Sequence, residues 1–127
     1  MEMKLFDSEL RLMELLWAHP QDAQPLTAKE ISLLAAQQIG WNKNTTYTVI
    51  KKLVDKNAIR REEPGFQCIP LISRSQAQRQ ETRSLLQKLF GGSKKALFSA
   101  LLEDESLTAQ DIADLRAMID KAARDGD

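Results

Sequence analysis

The chain has 127 residues, 43% of them hydrophobic and 28% charged, which excludes a disordered tail and makes a large multi-domain enzyme an unsuitable reading. Its zero net charge hides segregation. Between residues 41 and 61, Lys43, Lys51, Lys52, Lys56, Arg60 and Arg61 oppose one acid, Asp55, for a net +5, while residues 103–127 hold eight acids against three bases, a net −5. A basic stripe and an acidic end point to one surface for a polyanion and another kept away from it.

The first periodic segment runs from about Asp7 to Ala18, with Leu10, Met13 and Trp17 at helical spacing and Leu12 and Leu16 widening the stripe. It ends before Pro20, and residues 19–25, with two prolines, form a loop. Thr27-Ala-Lys-Glu30 matches a capping box, so a second helix starts at Ala28, turns Ile31, Leu34 and Ala35 inward, and stops near Gly40. Asn42 or Asn44 can cap a third, with Thr46, Val49, Ile50, Leu53 and Asn57 on one side. Next come two short apolar-polar runs about Pro64-Gly65, a pair that suits a type II turn and predicts a hairpin; Pro70 belongs at a strand end or edge.

Beyond Ser73 three amphipathic segments follow. Residues 75–90 group Leu85, Leu86, Leu89 and Phe90, Gly91-Gly92 breaks the run, and Ser93 caps a segment with Leu97, Phe98, Leu101 and Leu102. Thr108 opens a last helix bearing Ile112, Leu115, Ile119 and Ala122. About fifty-five residues bury too little surface to be stable alone, so these stripes are expected to meet a second copy. The expected fold is mostly α with a small β-hairpin: a winged helix-turn-helix DNA-binding domain over residues 1–72, then an all-helical dimerisation domain over 73–127. The shared dimer core is assigned to Leu85, Leu89, Leu97, Leu101, Ile112, Leu115 and Ile119.

Three helices followed by a hairpin is the order of a winged helix, whose third helix enters the DNA major groove. Opposite its apolar side lie Asn44, Thr48, Lys51 and Asp55, flanked by Tyr47 and Lys52. Such groups reach bases and phosphates. From a helix start near Lys43, the expected contacts are Asn44, Thr48 and Lys51 at base edges and Thr45, Tyr47, Lys52 and Arg60 at phosphates. The competing reading is a helical protein-interaction adaptor whose basic face takes an acidic protein partner. Asn44, Thr45 and Thr48 argue against it, because a pure charge contact needs no amides or hydroxyls.

Leu10-Arg-Leu-Met-Glu-Leu-Leu-Trp17, Leu26-Thr-Ala-Lys-Glu-Ile31, the whole stretch from Trp41 to Asn57, and Glu81-Thr-Arg-Ser-Leu-Leu-Gln-Lys-Leu-Phe-Gly-Gly92 carry a resemblance over nearly the whole chain. It resembles the penicillinase-repressor (BlaI/MecI/CopY) family. The resemblance implies a homodimeric repressor on a palindromic, double-stranded operator. In the β-lactam branch it also implies control by a membrane sensor metalloprotease pathway, with the repressor cut in its dimerisation domain. That branch is cut at an asparagine-phenylalanine bond; the matching stretch here reads Phe98-Ser-Ala-Leu-Leu-Glu103, so the candidate cleavage region is Ser99, Ala100, Leu101 and Leu102. The copper-responsive branch carries carboxy-terminal cysteine pairs, which this chain lacks.

The other candidates favour structural roles. One cysteine, Cys68, and one histidine, His19, exclude an internal disulfide and a four-ligand zinc site, and no cofactor is expected. His19 falls at a helix end, and Cys68 reads as a small hydrophobe in a strand. Glu103-Asp-Glu105 reads as a solvated loop rather than a metal or acid-base site. No phosphate loop or nucleophile-base arrangement is visible, so the chain is not expected to be an enzyme. No apolar run spans a bilayer and the amino terminus lacks a signal-peptide h-region, so a cytoplasmic protein without membrane insertion is expected.

Overall fold

Helix starts leave backbone N–H groups without intrahelical partners, and short polar side chains supply them here. In the computed structural model, which describes residues 3–104 and 106–126, Thr27 Oγ1 accepts from the Glu30 N–H at 3.2 Å while Glu30 Oε1 accepts from the Thr27 N–H at 3.0 Å, closing the capping box. Asn42, rather than Asn44, caps the third helix, its Oδ1 accepting from the Thr45 N–H at 2.8 Å. Ser93 and Thr108 cap two later helices in the same way. The described elements are α1 (Asp7–Ala18), α2 (Ala28–Gln38), α3 (Lys43–Asp55), β1 (Ile59–Glu62), β2 (Gln67–Pro70), α4 (Arg74–Phe90), α5 (Lys94–Leu102) and α6 (Ala109–Asp125). The expected fold class holds: helices dominate and the only named strands among the described residues form one hairpin.

Two compact units emerge, residues 1–83 and residues 84–127. In the first, Leu12 and Met13 of α1, Ile31 and Ala35 of α2, and Val49, Ile50 and Leu53 of α3 close a core with Ile59 and Cys68 of the hairpin. Leu10, Trp17 and Leu34 are only half-buried, at the margin of that core. Asn57 departs from the expected inward stripe. It is exposed with φ +62, the left-handed residue that lets the chain leave α3, a conformation asparagine tolerates better than most.

β1 and β2 pair antiparallel, with Ile59 opposite Pro70 and Glu62 opposite Gln67, so Pro70 does sit at a strand end. The reversal has Gly65 at positive φ, as the third position of a type II turn requires. It takes four residues, the Glu63–Pro64 peptide is cis, and Phe66 as well as Gly65 has positive φ, +55 and +86. The Glu63 carboxylate supports this by accepting from the Phe66 N–H at 3.1 Å. A third edge went unanticipated: Leu26 O accepts from Cys68 N and Phe66 O from Ala28 N, at 2.8 and 3.0 Å, so the chain entering α2 lies against β2.

The second unit comprises the end of α4 with α5 and α6. No described residue beyond Ala77 is buried, and Leu85, Leu89, Phe98, Leu101, Leu102, Ile112, Met118 and Ile119 are exposed. Among the described residues no helix is long and apolar enough to cross a membrane.

Candidate nucleic-acid interface

α3 is a two-sided helix by spacing alone. Thr46, Val49, Ile50 and Leu53 fall on the core side and are buried, and Thr46 satisfies its hydroxyl on the Asn42 carbonyl at 3.2 Å. The opposite side therefore presents Lys43, Asn44, Thr45, Thr48, Lys51 and Lys52 to solvent, with Tyr47 half-buried on one flank. The structure brings together on one helix face all the site residues expected there; Arg60 lies on β1, exposed. Thr48 is less free than expected: its hydroxyl donates to the Asn44 carbonyl at 2.9 Å, leaving its methyl group and acceptor lone pairs for a ligand.

The six basic residues of the stripe separate into two groups. Lys43, Lys51 and Lys52 form no ion pair among the described residues, while the other three do. Lys56 Nζ sits 2.7 Å from Oε1 of the buried Glu9, donates to the Lys4 carbonyl at 2.8 Å, and lies 4.4 Å from the centre of the Phe6 ring. It serves the core. Arg60 pairs with Glu62 at 3.1 Å and Arg61 with Glu63 at 2.7 Å, each pair half-exposed. The charge of the wing arginines is thus partly offset locally, while each guanidinium stays about half exposed with further N–H donors available. Glu63 is held below the usual carboxylate range by the Phe66 N–H and then by Arg61.

Sequence reasoning missed three participants: Phe66, Arg61 and Glu63. The Phe66 ring meets Tyr47 edge-on, centroids 6.4 Å apart at 90°, and the Arg61 guanidinium stacks over it at 3.8 Å. An aromatic directly after Pro-Gly in a turn was the available signal, since that position is ordinarily polar.

Cys68 is buried in β2, and desolvation pushes its thiol up to about 11, against a smaller opposing influence from Arg61. A thiol so placed is protonated at neutral pH and a poor nucleophile. His19 caps α1, with Nε2 2.7 Å from the Gln24 carbonyl. Asp104 accepts from the Ser106 N–H at 2.9 Å; Glu105 of the same acidic run lies outside the described residues, as do Met1, Glu2 and Asp127. Ser99, Ala100, Leu101 and Leu102 form the exposed last turn of α5.

Three helices, the third with a basic exposed face, and a hairpin held against the second define a winged-helix protein. Residues 5–121 match the model of the penicillinase repressor family, and the chain belongs to that family. It is 23% identical over 120 residues to the methicillin resistance regulatory protein MecI of Staphylococcus aureus (strain N315), covering 93% of this chain and 94% of that one. The MecI protein of Mammaliicoccus sciuri matches to the same extent. An uncharacterized 16.5 kDa protein in the ptsI 3' region of Latilactobacillus sakei is 25% identical over 114 residues, 88% of this chain and 75% of that protein. The chain is a transcriptional repressor by family, not an enzyme.

Proposed function

We propose that the chain represses transcription as a homodimer on a palindromic operator. Residues 1–72 read each half-site and residues 73–127 hold the two copies together. The observation that carries this reading is the α3 face, where three lysines with no ion pair among the described residues alternate with Asn44 and Thr48. Lysines supply the sequence-independent attraction to phosphates; an amide and a second set of polar contacts at base edges supply discrimination. On this reading Asn44, Thr48 and Lys51 take base edges, and Thr45, Tyr47, Lys52 and Arg60 take phosphates. The dimer is supported by the second unit, which leaves Leu85, Leu89, Leu101, Ile112 and Ile119 exposed and Leu97 and Leu115 half-buried in a single copy.

The experiment is a mobility shift on the promoter of the chain's own operon, with scrambled duplex as competitor. Preferential binding by at least about 10³ over scrambled DNA, the lower end for specific regulators, is expected. Equal binding to both would favour the adaptor reading, in which the basic face takes an acidic protein.

The relatives named for methicillin resistance motivate a role in controlling β-lactam resistance genes, with inactivation through a membrane sensor metalloprotease pathway and a cut between Ser99 and Leu102. An exposed helix end beyond the Gly91-Gly92 break favours local opening, which proteolysis requires. Treating producing cells with a β-lactam and blotting for a shortened repressor tests it; derepression with an intact band would identify another signal.

A further inference from the structure

Phe66 occupies a left-handed conformation, φ +55, which a residue with a side chain keeps only where its surroundings hold it. Four separate contacts do so. Its N–H donates to Glu63 Oε2 at 3.1 Å, and its carbonyl accepts from the Ala28 N–H at the start of α2 at 3.0 Å. Its ring carries the Arg61 guanidinium at 3.8 Å and meets Tyr47 of α3 edge-on. Glu63 closes the group, Oε1 accepting from Arg61 Nε at 2.8 Å. On the far side Lys43 Nζ lies 5.7 Å from the centre of the Tyr47 ring. A continuous line of contacts, Glu63, Arg61, Phe66, Tyr47, Lys43, therefore joins the hairpin to the first turns of α3.

We propose that Phe66 is a positioning residue for DNA reading: by clamping Tyr47 against Arg61 it sets the angle between α3 and the wing. This rests on the reading of α3 as the DNA-reading helix. An edge-to-face pair fixes orientation in a way an aliphatic contact does not, because the ring edge is electropositive and the face electronegative. A base-edge contact tolerates little misalignment, whereas attraction to phosphates tolerates much. Loosening the clamp should thus reduce discrimination far more than general DNA affinity, to which Tyr47 adds one uncharged phosphate contact.

The test compares full-length wild type with Phe66→Leu, which keeps apolar volume without a ring, and Phe66→Tyr, which keeps the ring. The operator-to-scrambled affinity ratio should fall about tenfold in Phe66→Leu, the scale of one base contact, with scrambled-DNA affinity falling no more than about twofold and the salt slope unchanged. Phe66→Tyr should restore the ratio to within about twofold. Without DNA, the ring protons of Tyr47 should show a ring-current displacement in wild type and Phe66→Tyr that vanishes in Phe66→Leu. If Phe66→Leu does not fold, Phe66→Met takes its place. An unchanged ratio in the ringless variant, an equal loss on both DNAs, or undisplaced Tyr47 resonances in wild type would each overturn the clamp. A wild-type chain that does not prefer its operator, yet shows the displacement, would instead overturn the DNA-reading assignment and, with it, the positioning role.

Discussion

Charge on a side chain counts for function only when the fold leaves it unoccupied, and the basic stripe illustrates this residue by residue. Lys56 neutralises Glu9, a carboxylate with no exposure whose Oε2 lacks any hydrogen-bond partner among the described residues. Removing the ammonium would strand a buried charge, so Lys56→Ala should cost up to about 3 kcal/mol, at the low end for buried pairs because the lysine keeps water on one side. Chemical denaturation of the variant checks this, with DNA binding by the remaining folded protein unaffected. Lys52 and Arg60 separate in a second way. Lys52→Ala should lower the salt slope of DNA binding by about one unit per subunit. Arg60→Ala should lower it by less, since Glu62 already partly offsets that arginine's charge, and Glu62→Gln should steepen it. Salt titrations of the three variants against one duplex decide the matter. Cys68, with its thiol pushed up to about 11 by burial, should resist alkylation at neutral pH until the protein unfolds.

Elements begin where the sequence is locally explicit, and this decides how much of the fold could be read in advance. Thr27 with Glu30, Asn42, Ser93 and Thr108 announce helix starts within four residues of themselves, and each caps a helix in the structure. The α3 face was legible for the same reason, because a fixed turn per residue separates Asn44, Thr48 and Lys51 from Val49 and Leu53. Contacts between distant segments were not. The Leu26–Cys68 hydrogen bond, the Tyr47–Phe66 ring pair and the Glu9–Lys56 ion pair join segments that no periodicity relates. Within the turn, the positive φ of Gly65 was legible from Pro-Gly, whereas the hydrogen bond from the Phe66 N–H to the Glu63 carboxylate was not. That hydrogen bond has a consequence with pH. Glu63 and Glu30 both have carboxyls lowered from 4.5 in the folded state, Glu63 first by the Phe66 N–H and Glu30 first by the Thr27 N–H. A depressed carboxyl contributes stability that is complete above the unfolded value and fades as pH falls through the folded one. Hydrogen exchange at the Phe66 and Thr27 amides should therefore accelerate, relative to intrinsic rates, below about pH 4.5. In Glu63→Gln the acid dependence at Phe66 alone should disappear.

On the scale of the molecule, the two units bury their apolar residues very differently. The first contains every buried hydrophobic residue described, from Leu5 to Ala77. The second, with the end of α4 and all of α5 and α6, has no buried residue among those described, and Leu89, Leu102, Met118 and Ile119 are each more than half exposed. The proposed dimer would cover this surface, and α6 carries exposed Ile112 and Ile119 with half-buried Leu115 on one stripe. The acids of α6 lie on the same helix as this stripe and add a repulsion toward phosphates, which suits the proposed division between a dimer arm and a DNA-reading α3. Two half-site contacts joined in one dimer exceed the affinity of one by a factor of about 10² to 10⁴, set by how well the linkage spans the sites. A charge placed in the middle of the shared stripe should remove that factor and leave each winged helix folded. Leu115→Asp is thus expected to sediment as a monomer and to lose about 10² to 10⁴ in apparent operator affinity. Its thermal unfolding should retain a transition from the first unit, and its weak binding to a single half-site should match that of the wild type. Sedimentation of the wild-type chain as a monomer at micromolar concentration would dismiss the dimer. A dimeric Leu115→Asp would move the shared core away from α6, toward the exposed Leu85 and Leu89 of α4.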